Sequence, residues 1–152
     1  MKRLLLLWLL AAFGACQRTS SPVQTPAIPV AVTPPADTLS PIWKTNDQDQ
    51  VIRGRVPAPD ELVPQTLVRY CNRAWPRVPI TFIRQRGDTI FVKIPDSQYL
   101  TQSMGSYGAW QCLAEVTYTL TELPGIRYVS FDFPEGDHAR PGVYQRTDWE
   151  VR

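Results

Sequence analysis

The chain has 152 residues, with 16 Lys and Arg, 14 Asp and Glu, and a single His, for a formal net charge of +2. This length suits one domain. So small a charge provides no basic footprint for nucleic acid or an anionic lipid surface.

Met1-Lys-Arg3 is followed by the apolar run Leu4–Phe13 and then by Gly14-Ala15-Cys16. The run is too short for a bilayer, which needs about 20 apolar residues, and it predicts a secretory signal over residues 1–15. Its removal takes away Lys2 and Arg3 and leaves 14 basic and 14 acidic side chains. Phe13-Gly14-Ala15-Cys16 resembles the lipobox of bacterial lipoproteins, although Leu is usual where this chain has Phe13. The resemblance implies cleavage before Cys16, diacylation of its thiol and acylation of the new amine. Burial of such chains, at ~0.8 kcal/mol per CH₂, anchors a protein to a membrane almost irreversibly. The alternative is an ordinary secretory signal cut elsewhere. Gln17 after the cysteine is compatible with outer-membrane sorting, facing the periplasm or the cell surface.

Residues 16–50 are predicted to hold the lipidated cysteine and a disordered tether. Pro22, Pro26, Pro29, Pro34, Pro35 and Pro41 are interspersed with Ser, Thr, Val and Ala, which leaves too little apolar surface to fold. A flexible chain of this size averages about 30 Å end to end and reaches ~100 Å as polyproline. The globular domain is expected over residues 51–152.

Within it, Val51–Val56 reads as an edge strand broken by Pro57 and Pro59. A helix is expected from about Asp60 to Trp75-Pro76, with Leu62, Val63, Leu67, Val68 and Tyr70 on one side. Ile80–Gln85 and Thr89–Ile94, rich in β-branched and aromatic residues, predict a hairpin closed by Arg86-Gly87-Asp88. Arg-Gly-Asp is also an adhesion tripeptide, but the turn needs only a glycine with positive φ. Asp96–Thr101 suggests a helical turn and Ser103–Gly108 a loop with Ser106 as N-cap. A second helix is expected from about Ala109 to Leu123, burying Trp110, Leu113, Val116, Leu120 and Leu123. Pro124-Gly125 stops it. The strand that follows, ending at Phe133, turns Tyr128, Ser130 and Asp132 to one face and Val129, Phe131 and Phe133 to the other. Val143-Tyr144 can pair briefly. These elements predict a small single α+β domain, with two main helices packed on a mixed sheet of three to four strands containing a β-hairpin.

Cys71 and Cys112 form a second theme. Outside the cytoplasm such a pair is usually a disulfide, here closing a loop of about 42 residues and worth ~4 kcal/mol in the entropic account. Two buried free thiols are the alternative.

Chemistry is sparse. There is no phosphate-binding Gly-rich loop with its lysine and no Gly-x-Ser-x-Gly elbow. A Ser/His/Asp arrangement would have to use His138, and Asp132, Glu135, Asp137 and His138 could form a metal site or an acid/base group; a solvated polar loop has the same composition. Thr117, Thr119 and Thr121 are costly on a surface helix and predict packing against a sheet, not nucleophiles.

Asp88–Leu100, Gly105–Gly108 and Val116–Val129 resemble the germane (GerMN) domain of sporulation and spore-germination lipoproteins and other bacterial envelope proteins. Thr119, Leu120, Pro124 and Gly125 carry its helix-to-strand joint. The likeness covers roughly residues 60–135, with Phe133-Pro134 where the family has a glycine and Asp137–Trp149 outside the pattern. It implies a compact α/β binding or assembly unit without established catalytic residues. The expectation is a lipid-anchored, extracytoplasmic, non-catalytic module without a cofactor. It is held to the membrane through Cys16 and binds an envelope protein or polymer, or a second copy of itself. Tyr107, Tyr128, Ser130, Asp132, Tyr144 and Trp149 are its expected partner-binding residues. The competing readings are a metal-dependent or acid/base enzyme using the Asp132–His138 loop, and a passive structural lipoprotein.

Overall fold

The computed structural model describes residues 40–150; the signal, Cys16 and most of the tether lie outside them. The described chain opens with an antiparallel hairpin of β1 (Trp43–Thr45) and β2 (Val51–Arg53). This corrects the tether boundary, since β1 falls in residues assigned to the linker and Ile42 is a core residue with 1% exposure. Asn46 makes the turn. Its Oδ1 accepts from the backbone of Gln48 and Gln50, a local hydrogen-bonding loop that Asn and Asp form readily.

The expected first helix is split. Pro59–Glu61 form a 3₁₀ turn, and α1 runs only over Pro64–Ala74, with Pro64 at a position where its missing N–H costs nothing. Leu67, Val68 and Cys71 form its buried side. β3 (Thr81–Arg86) and β4 (Thr89–Lys93) make the predicted hairpin, with a bulge between Phe82 and Arg84. Gly87 at φ 59° closes the turn. The Asp88 carbonyl then accepts from the backbone of Arg127 and Tyr128, and its carboxylate from Arg127 Nε at 3.0 Å. In this fold Asp88 of the Arg-Gly-Asp tripeptide joins the hairpin to the next strand.

A π-helical turn (Tyr99–Ser103) leads into α2 (Gly105–Leu120), which starts four residues earlier than expected and stops three earlier. Met104, not Ser106, is its N-cap. β5 (Tyr128–Asp132) pairs parallel with β4, and β6 (Gly142–Tyr144) pairs antiparallel with β5, giving the order β3-β4-β5-β6. A 3₁₀ turn (Arg146–Trp149) ends the fold. The α+β architecture of two main helices on a mixed four-stranded sheet is as expected, with the β1–β2 hairpin added.

α2 is the centre of the molecule. It touches α1, β1, β2, β5 and the last 3₁₀ turn, so nine of its sixteen residues are buried and its pattern is less one-sided than that of a surface helix. Its fully buried Leu120, with Leu67 and Leu100, belongs to the class whose truncation to Ala costs about 2–5 kcal/mol. The threonines are packing residues. Thr117 is wholly buried, and its Oγ1 donates to Leu113 O at 2.7 Å; Thr121 Oγ1 donates to Thr117 O at 2.8 Å. Bonding back one turn satisfies a hydroxyl that would otherwise be a costly orphan.

Two carboxylates tie the periphery down. Glu122 accepts from Trp43 Nε1, Arg53 and Arg146, joining the β1–β2 hairpin, the end of α2 and the C-terminal turn. Glu61 accepts from both terminal nitrogens of Arg55, the Tyr70 hydroxyl and Ala58 N, holding the 55–61 segment on α1. Among the described residues no helix is long and apolar enough to cross a membrane.

Candidate functional site

Ile90, Val92, Val129 and Phe131 alternate onto the buried face of the sheet. The register aligns Arg84, Phe91, Ser130 and Val143 across the opposite face, with Tyr128 beside Thr89 and Asp132 beside Lys93. Tyr128, Ser130 and Asp132 therefore stand together, as the alternation predicted, on a surface where Val143 is 59% exposed. Asp132 faces Lys93 Nζ at 3.7 Å, a weak exposed pair.

The other expected residues lie elsewhere. Tyr107 is 53% exposed at the start of α2, stacks on Trp110 at 5.9 Å and donates its hydroxyl to Asp49 at 2.6 Å. That bond to a carboxylate, with some burial, raises the phenol above its ordinary value. Trp149, expected at the surface, is only 7% exposed. The C-terminal 3₁₀ turn, capped by Asp148 accepting from Gln145 N at 2.8 Å, folds it back against Tyr144 at a ring separation of 4.9 Å.

Trp149 and Tyr144 are nevertheless functional candidates, because both line a groove of about 530 Å³ between the first turns of α2 and the loop after β5. Ser106, Trp110, Glu135, Asp137, His138 and Arg140 complete most of its walls. The 135–140 loop is tied down by His138 N donating to Thr101 O at 3.0 Å and Gly136 N to Ala139 O at 3.1 Å. Gly136 is needed there, since a Cβ would lie 2.6 Å from Thr101 Cβ. Tyr144 Oη donates to Arg140 O at 2.9 Å, and Arg140 pairs with Glu135 at 2.9 Å. Burial, with the charge of Asp148 behind it, raises the Tyr144 phenol.

Ser106 Oγ and His138 Nδ1 share a hydrogen bond at 3.2 Å whose direction follows the imidazole tautomer. A nucleophilic serine also needs a group orienting the second ring nitrogen. Glu135 and Asp137 line the groove with His138, yet neither bonds to it, and Asp132 is paired on the opposite face of the sheet. The loop thus brings Glu135, Asp137 and His138 to one groove, without a hydrogen bond among them, and leaves Asp132 outside it. Among the described residues no three His, Cys, Asp or Glu side chains are grouped to hold a metal ion.

Trp149 also lines a second recess, with Val51, Ile52 and Tyr118. Trp149 Nε1 is buried and has no hydrogen-bond partner among the described residues. Such a donor costs about 1–3 kcal/mol unless water or a ligand accepts from it.

Cys71 and Cys112 are unbridged and buried, the second of the two alternatives left open by the sequence. Burial pushes the Cys71 thiol up to about 12 and raises Cys112 well above its ordinary value, with the neighbouring Cys71 adding to the effect. Thiols held protonated in this way are poor nucleophiles.

Sequence reasoning missed Trp110 and Ser106 as groove residues. Trp110 fits the helical stripe, and only the loop from the far end of the chain turns its half-buried ring into a wall. Comparison with protein-family models, with curated proteins and with solved structures gives no match.

Proposed function

We propose that the chain is a lipid-anchored, extracytoplasmic binding module of the bacterial envelope, tethered through Cys16, and that it works without catalysis. The observation that carries this reading is the groove: a preformed concavity of about 530 Å³ with aromatic walls. This size falls in the range of small-molecule sites, roughly 300–1,000 Å³. The signal, the lipobox-like Phe13–Cys16 and the Pro-rich tether support the location, and the resemblance to the germane domain supports binding over chemistry. A second, assembly role through self-association is favoured by the uncovered sheet face, where Val143 is the most exposed apolar member of its row.

A photoreactive residue placed at Asp137 on the groove rim tests the reading in intact cells, with one at Arg69 on the exposed side of α1 as control. The expected result is a discrete adduct from position 137 and none from 69, in a membrane fraction that loses the protein on Cys16→Ser. Equal diffuse labelling from both positions would remove the basis for a binding role.

A further inference from the structure

We propose that the groove takes a neutral oligosaccharide, a short stretch of pyranose units presented by an envelope glycan; the inference deepens the binding reading above and rests on it.

A pyranose ring is amphipathic, with C–H bonds on its faces and hydroxyls around its edge that both donate and accept. A site for it needs aromatic walls together with hydrogen-bonding groups of both kinds. The groove brings them together. Trp110 is half-buried, and Tyr144 and Trp149 pack with ring centroids 4.9 Å apart. The same lining carries the Ser106–His138 pair, which can donate or accept. Asp137 is exposed, and none of the ion pairs and hydrogen bonds of the described residues engages its carboxylate, which is free to accept from a hydroxyl.

Charge decides against the other envelope ligands. Arg140, the cation on the rim, is already paired with Glu135, and Asp137 adds an uncompensated negative charge. A phosphate-rich polymer would meet that carboxylate, and the mixed polar lining does not suit an acyl chain. A ligand with hydroxyls and no formal charge suits the free Asp137 carboxylate and the Ser106–His138 pair. The walls are also set before binding. The loop is pinned to Thr101, and Gly136 is pressed against the same residue, so little ordering cost falls on the complex.

The test is calorimetric titration of the full-length protein in detergent with tri-N-acetylchitotriose and with cellotriose, using inorganic phosphate as the anionic comparison. Saturable binding of at least one trisaccharide is expected, with a dissociation constant of about 0.1–1 mM, typical of a small polar contact. The preferred trisaccharide tells whether the glycan is N-acetylated. Trp110→Ala should weaken binding at least ~10-fold. Asp137→Ala, at an exposed position where the fold is not at stake, should weaken it about 3–10-fold. The inference is overturned if neither trisaccharide binds by 10-fold above that range, if both variants bind like wild type, or if phosphate binds as well as the sugars. A protein adduct from position 137 with no sugar binding would overturn this inference and leave the binding-module reading standing.

Discussion

Replacing Glu61 by Gln removes the charge from a carboxylate that the fold holds unusually firmly. The group is 7% exposed and accepts from Arg55 at 2.6 and 3.0 Å, from Ala58 N at 2.7 Å and from the Tyr70 hydroxyl. Chiefly through the Arg55 bonds, its pKa is lowered from 4.5 to about 2. A depression of about 2.5 pH units, at ~1.36 kcal/mol each, corresponds to about 3 kcal/mol of pH-linked stability. Because the folded value lies below the unfolded one, this contribution is complete above about pH 4.5 and disappears as pH falls toward 2. Urea unfolding of wild type and Glu61→Gln, measured at several values between pH 7 and pH 2.5, reads it directly. The expected gap is about 3 kcal/mol at pH 7, narrowing steadily below pH 4.5. A gap that stays constant with pH, or one below ~0.5 kcal/mol at neutrality, would show that the Glu61 charge contributes nothing and leave the four contacts as a geometric coincidence.

Three further outcomes follow from the packing. Glu122→Ala removes the carboxylate that Arg53, Arg146 and Trp43 Nε1 share, so amide exchange over residues 43–53 and 146–149 should quicken while the β4–β5 core stays protected. Thr117→Val keeps the shape but orphans nothing except the Leu113 carbonyl's second acceptor site; a cost of about 0.5–1.5 kcal/mol is expected by chemical denaturation, against a larger loss for Thr117→Ala. Cys71 and Cys112 should resist iodoacetamide in the native protein at pH 8 and both react once unfolded without reductant. If the unfolded mass stays unmodified, the pair is bridged in the cell-derived protein.

The hairpin β3–β4, the Pro124-Gly125 stop and the alternation of β5 were legible because each depends on local chemistry: β-branched runs, a turn glycine, a helix breaker. The threonines of α2 were legible for the same reason, since their hydroxyls bond within their own helix. β1 was not, because three residues carry no readable period and its partner β2 lies across an Asn-centred turn. The early start of α2 was hidden by Gly105 and Gly108, which weigh against a helix locally and are overridden by the packing around the helix. The groove was legible only in part. Tyr144, Trp149 and His138 stand out as residue types, but no local pattern marks Trp149 as buried, and the pairing of His138 with Ser106 spans 32 residues that no local pattern connects.

The groove, not the bare sheet face, is proposed to meet the envelope. Hydroxyl-radical footprinting of the protein in intact envelopes, compared with the purified protein, tests it without altering a residue. Trp110 and Tyr144 are expected to lose reactivity in the envelope while Tyr128 on the open face keeps its own. Protection of Tyr128 with an unchanged groove, or identical footprints in both preparations, would contradict it.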